Sequence, residues 1–113
     1  MSMRMKRGRG GVRYEDVQVG LGPAAARGAE VDVRYSLSLN RGDVLQEDTS
    51  ASFRLGERRV IPGLEYGVEG MRVGGRRRIR VGPHLGYGEH GVVGVVPPNA
   101  VLEFEVQLLD VRT

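Results

Sequence analysis

The side chains able to do covalent or acid–base chemistry are few in this 113-residue chain. Cysteine is absent, which excludes thiolate nucleophiles, thiolate metal sites and disulfides together. His84 and His90 sit in a Gly-rich stretch without metal-ligand partners at useful spacing, so neither a metal centre nor a general base has a candidate constellation. Tyr87 stands between Gly86 and Gly88; a loop tyrosine has little core to fill and reads as a binding group. Tyr35 and Phe104 alternate with polar neighbours, as ordinary core residues of a strand do.

Charge is the other candidate signal. The formal net charge is +3, but Arg4, Lys6, Arg7, Arg9 and Arg13 precede the first acidic residue, Glu15; without them the 17 basic residues fall to 12, against 14 acidic ones. The body is near neutral, and residues 1–11 read as a flexible, solvated basic tail ahead of a domain at 12–113. A second cluster, Arg76, Arg77, Arg78 and Arg80, places alternate arginines on one strand face. The reading is a charged solvent face that also discourages edge aggregation. Neither cluster is interleaved with aromatics, so a nucleic-acid partner is not expected. No run approaches the roughly 20 apolar residues of a membrane span, and the N-terminus has no apolar signal-like stretch, so a cytoplasmic, membrane-free protein is expected.

The elements that position these residues show in the periodicity. Val31 to Leu39 alternates apolar and polar without exception, and Leu102 to Leu108 does the same before Leu109 and Val111 break phase, predicting two half-buried strands and a bulge near the end of the second. Shorter strands are predicted at Val12 to Val19, Ser52 to Leu55 and Arg76 to Val81. In Ile61 to Met71, Leu64, Val68 and Met71 recur at helical spacing and Pro62 suits a first turn. Gly67 and Gly70 weaken that helix by about 1 kcal/mol each relative to Ala, so packing must hold it. The stretch Gly82 to Pro98 is a long loop whose valines, Val92, Val93, Val95 and Val96, should fold over something. A mostly antiparallel sheet and one short helix make an α+β domain of ordinary size for a single core.

Four pieces of this sequence, in order, carry a resemblance: Val60 to Met71 (VIPGLEYGVEGM), Val73 to Arg76 (VGGR), Tyr87–Gly88, and Val95 to Leu109 (VVPPNAVLEFEVQLL). Together with Tyr35 they resemble the FKBP-type peptidyl-prolyl isomerases, over about Val12 to Val111. The resemblance implies a five- to six-stranded curved antiparallel sheet wrapped around the short helix, with an apolar pocket between them roofed by the long loop and no inserted chaperone flap. It implies catalysis of cis–trans exchange at Xaa-Pro bonds during protein folding, without cofactor or metal. Proline-containing polypeptides would be the partners of a monomer, with macrolide immunosuppressant-type ligands bound weakly. By position it assigns Tyr35, Ile61, Tyr87 and Phe104 as the catalytic set, and Leu45, Gln46, Phe53, Val60, Leu64, Val95 and Val96 as substrate-binding. The Ile61 N–H and the Tyr87 hydroxyl would bind substrate carbonyls.

Such chemistry agrees with the missing constellation. An X-Pro amide crosses a barrier of roughly 18–20 kcal/mol set by loss of resonance, and exchanges unaided in tens to hundreds of seconds. The twisted amide is less polar than the planar one, so a dry apolar cradle can favour it with no nucleophile or base. Lowering the barrier by about 5 kcal/mol gives more than a thousandfold acceleration. Two positions depart from the family pattern: Leu64 stands where tryptophan is usual and Gln46 where aspartate is usual, while Leu45 and Ala51 occupy slots usually aromatic. A smaller floor and a lost negative charge predict a weakened pocket, and leave open a proline-binding or docking domain with little turnover.

Overall fold

Alternation in the sequence becomes one six-stranded, fully antiparallel sheet in the computed structural model, which describes residues 5–113. Its strands are β1 (Lys6–Arg7), β2 (Arg13–Gln18), β3 (Glu30–Leu39), β4 (Val44–Arg54), β5 (Arg76–Val81) and β6 (Leu102–Arg112), in the spatial order β1-β2-β5-β6-β3-β4. One α-helix, α1 (Pro62–Val68), lies between β4 and β5 in the chain and packs on β5.

β3 and β6 pair along their length, and their inward residues Val31, Val33, Leu37, Leu39, Leu102, Phe104, Val106 and Leu108 are buried. The register steps from Val33 opposite Leu108 to Asp32 opposite Asp110. Leu109 is the extra residue, turned outward, as the phase break predicted. β4 is much longer than Ser52 to Leu55. Its pairing slips between Tyr35–Thr49 and Leu37–Gln46, and Asp48 has φ of 48°. That bulge resets which side chains face inward, so no single alternation runs through the strand.

The helix is shorter than the Ile61 to Met71 spacing suggested. Leu64, Val68 and Met71 are all buried, but the chain leaves helical geometry at Glu69, and Gly70 follows with φ of 90°. Two of its glycines serve packing. A Cβ on Gly63 would lie 2.3 Å from Val81 Cγ1, and one on Gly67 2.5 Å from Ile79 Cδ1 and Cγ2. The residues that lower helix propensity let the helix backbone rest directly on β5.

The arginine cluster divides between the two faces. Arg76 and Arg80 are exposed and paired across the strands with Glu105 at 2.7 Å and Glu103 at 2.8 Å. Arg77 is buried: its guanidinium donates to Asp16 at 2.8 Å and to the Gly67 and Glu69 carbonyls at 2.9 and 3.1 Å, and lies 4.0 Å over the Tyr14 ring. It satisfies carbonyls freed at the end of α1. Because β5 lies inside the sheet, between β2 and β6, its arginines guard no edge, which corrects that part of the sequence reading.

Residues 1–4 of the basic segment lie outside the described residues. In the described part of the segment Lys6 and Arg7, both exposed, pair with Tyr14 and Arg13, the Gly8 N–H donates to the Val12 carbonyl at 2.7 Å, and the exposed Arg9 pairs with Glu69 at 3.1 Å. Gly10 and Gly11, at φ of 70° and 88°, let the chain reverse and lay this strand against β2.

Candidate active site

The segment from Gly56 to Ile61 delivers side chains to one end of the sheet, and the carboxylate that fixes it comes from the helix. Glu65 is only 5% exposed, and its two oxygens accept the Gly56 and Arg58 N–H groups, each at 2.9 Å. Arg58 is held there at φ of 58°, a conformation unfavourable for a side-chain-bearing residue. Ile61 then enters the helix as its N-cap, in extended conformation, its carbonyl accepting the Leu64 and Glu65 N–H groups at 3.1 and 3.4 Å. Among the described residues the Ile61 N–H donates to no acceptor.

From these constraints a cavity of about 460 Å³ forms between the helix N-terminus and the sheet, lined by Tyr35, Leu37, Gln46, Arg59, Val60, Ile61, Leu64, Tyr87 and Phe104. The volume lies in the range of small-ligand sites, roughly 300–1,000 Å³. Phe104 from β6 and Tyr35 from β3 form one wall, their rings tilted at 56° with centroids 5.7 Å apart, a favourable aromatic arrangement. Leu64 is buried at the floor. The Tyr35 hydroxyl donates to Gln46 Oε1 at 3.1 Å. Burial, with Tyr87 nearby adding to it, pushes the Tyr35 phenol up against the opposing effect of that hydrogen bond, so it remains a protonated donor at neutral pH. No group of three or more potential metal ligands occurs among the described residues.

Tyr87 reaches the cavity from the long loop, which is more ordered than its composition suggests. The Gly88 N–H donates to the Pro83 carbonyl at 2.8 Å and the Gly91 N–H to the Tyr87 carbonyl at 3.1 Å; Val92 and Val96 exchange two backbone bonds. A Cβ on Gly91 would meet the Val96 carbonyl oxygen at 2.2 Å, so this turn requires glycine. Only Val96 of the four loop valines is buried; Val93 is 98% exposed, contrary to the expectation that all would fold inward.

The structure therefore brings together Tyr35, Gln46, Val60, Ile61, Leu64, Tyr87 and Phe104. Leu45, Phe53, Val95 and Val96 are not in the lining: Phe53 and Val96 are buried in the core, Leu45 packs against it half-buried, and Val95 faces outward. Leu37 and Arg59 were missed. Leu37 was detectable, since it follows Tyr35 on the inward phase of β3. Arg59 carried no signal beyond its place before Val60.

Comparison with known proteins matches this geometry. The family model described as FKBP-type peptidyl-prolyl cis-trans isomerase matches residues 22–109. This chain belongs to that family. An FK506-binding protein of Neisseria meningitidis is 41% identical over 106 residues, covering 90% of this chain and 97% of the relative. FK506-binding protein 4 of Emericella nidulans is 44% identical over 105 residues, or 90% of this chain. The chain spans only 22% of that relative's length, and a similar share of several other curated relatives. The crystal structure of AtFKBP13 superposes with a TM-score of 0.87 at 27% identity, covering 98% of this chain and all of that one. Within the FKBP frame, the two departures fall inside the cavity, with Leu64 at the floor and Gln46 bonded to the Tyr35 hydroxyl.

Proposed function

We propose that this chain catalyses cis–trans exchange at Xaa-Pro bonds of unfolded or extended polypeptides, in the cavity between α1 and the sheet. The observation that carries the reading is the convergence of Tyr35, Val60, Ile61, Leu64 and Phe104 on one cavity, with Gln46, Arg59 and Tyr87 completing its lining. The pyrrolidine packs against the wall formed by the Tyr35 and Phe104 rings, above Leu64. The Ile61 N–H, which has no acceptor among the described residues, and the Tyr87 hydroxyl take substrate carbonyls and hold the chain across the mouth while the amide twists. Orientation and desolvation supply the acceleration; no group need donate or remove a proton.

Macrolides of the FK506 type would use the same cavity. With Leu64 at the floor and a neutral Gln46 at the wall, they bind more weakly than to a pocket with an aromatic floor. The same two residues favour a second reading, a proline-binding module with little turnover. NMR separates the two: a panel of short Leu-Pro and Phe-Pro peptides is titrated with the protein while cis–trans exchange is followed. Faster exchange supports the isomerase, shift changes without acceleration support the docking module, and neither effect rejects both.

A further inference from the structure

Among the described residues, Arg59 is the only Lys, Arg, His, Asp or Glu in the lining of this cavity, so it alone among these side chains brings a formal charge of fixed sign to it. Its side chain is 76% exposed and thus within reach of a bound peptide. Its nearest carboxylate, Glu57, lies 4.0 Å away and is shared with Arg54 at 3.8 Å. Both contacts are long, so they compete weakly with a better-placed anion. Gln46, on the β4 side of the cavity, is neutral and engaged with Tyr35. The segment carrying Arg59 is not free to swing away. Arg58, its neighbour, is pinned by its N–H to the buried Glu65 carboxylate, and Ile61, two residues on, caps the helix. A peptide advances about 3.3 Å per residue in extended form, which puts the residues flanking a bound proline within the reach of an arginine side chain rooted beside Val60.

We propose that Arg59 makes this cavity selective for Xaa-Pro bonds flanked by a carboxylate, so that Glu or Asp adjoining proline is preferred over Gln or Asn, and Lys is disfavoured. The inference rests on the isomerase reading of the same cavity and adds to it a substrate class and the residue that selects it. Recognition of this kind is electrostatic and solvent-exposed. It should change kcat/KM by about two- to fivefold per charge at low ionic strength, and fade near 1 M salt, where the Debye length is about 3 Å.

The test measures kcat/KM and Kd for matched peptides carrying Glu, Gln or Lys immediately before proline, and a second series with them immediately after. The proteins are the wild type, Arg59→Gln and Arg59→Glu. The order Glu over Gln over Lys in either series, levelled in Arg59→Gln, reversed in Arg59→Glu and collapsing at high salt, supports the proposal. Equal constants in the wild type, or an order that survives Arg59→Glu, overturns it. If no peptide exchanges faster, the isomerase reading fails separately, and the order of Kd values still decides the role of Arg59.

Discussion

Gly67→Ala should destabilise this protein, although helix propensity alone predicts the reverse. Replacing glycine by alanine inside a helix is worth about 1 kcal/mol in favour of the variant. Against that, the new methyl would sit 2.5 Å from both Cδ1 and Cγ2 of Ile79 and 2.9 Å from Cγ1. Ile79 is 1% exposed in the middle of β5 and cannot yield without disturbing its neighbours. Overfilling a packed core costs about 1–3 kcal/mol, and three contacts on one rigid side chain put this case in the upper part of that range. The net is a loss of about 1–2 kcal/mol, a fall in Tm of roughly 5–10 °C for a domain of this length. Thermal melts followed by circular dichroism, with urea midpoints as a check, measure it directly. In an Ile79→Val background, where Cδ1 is gone, the same glycine substitution should cost less, with a coupling of about 0.5 kcal/mol or more. An unchanged or raised Tm for Gly67→Ala would refute the close seating of α1 on β5 from which the depth of the proline cavity follows.

Phe104 is 3% exposed and serves both core and cavity, so Phe104→Ala should cost about 3–5 kcal/mol in urea unfolding; an unshifted midpoint would contradict its core placement. Glu65→Gln can accept only one of the Gly56 and Arg58 N–H groups in place of two, and a loss of about 1–3 kcal/mol is expected, accompanied by NMR shift changes at Val60 and Ile61. Shifts confined to residue 65 would show that the carboxylate does not position that segment. Hydrogen bonds from Arg112 first, and then from Ser52, hold the Asp32 carboxyl at about 2, below its ordinary 3.8. A folded-state value below the unfolded one stabilises above about pH 4, and that stabilisation is lost as pH falls through about 2. The acid limb of wild-type stability should therefore be steeper than that of Asp32→Asn over this interval, and identical limbs would show that the pair contributes nothing.

Sequence reading recovered what one face of one element encodes. Val31 to Leu39 and Leu102 to Leu108 were legible because each buries a single face, so composition alternates residue by residue. β4 was legible only near Ser52 to Leu55, since its bulge at Asp48 shifts the phase and its position at the sheet edge leaves many side chains exposed. Arg77 illustrates a different limit. In a run of arginines nothing distinguishes the one whose guanidinium is buried under the helix end, because its partners Asp16, Gly67 and Glu69 are brought there only by the fold. The cavity itself was reached by family resemblance and not by periodicity. Its wall, floor and mouth come from β3, β6, the helix entry and the long loop, which are distant in sequence. Arg59 went unnoticed for the same reason, its role arising from where Glu65 anchors the preceding turn.

The most direct test of catalysis in this cavity is the cis–trans exchange rate of a Phe-Pro peptide measured by magnetisation-transfer NMR, with wild-type protein and with Ile61→Asp. The substitution places a carboxylate beside the N–H that would hold the substrate. Acceleration by the wild type that is abolished in a folded Ile61→Asp variant is the predicted result; no acceleration, or acceleration that the variant retains in full, would contradict the account.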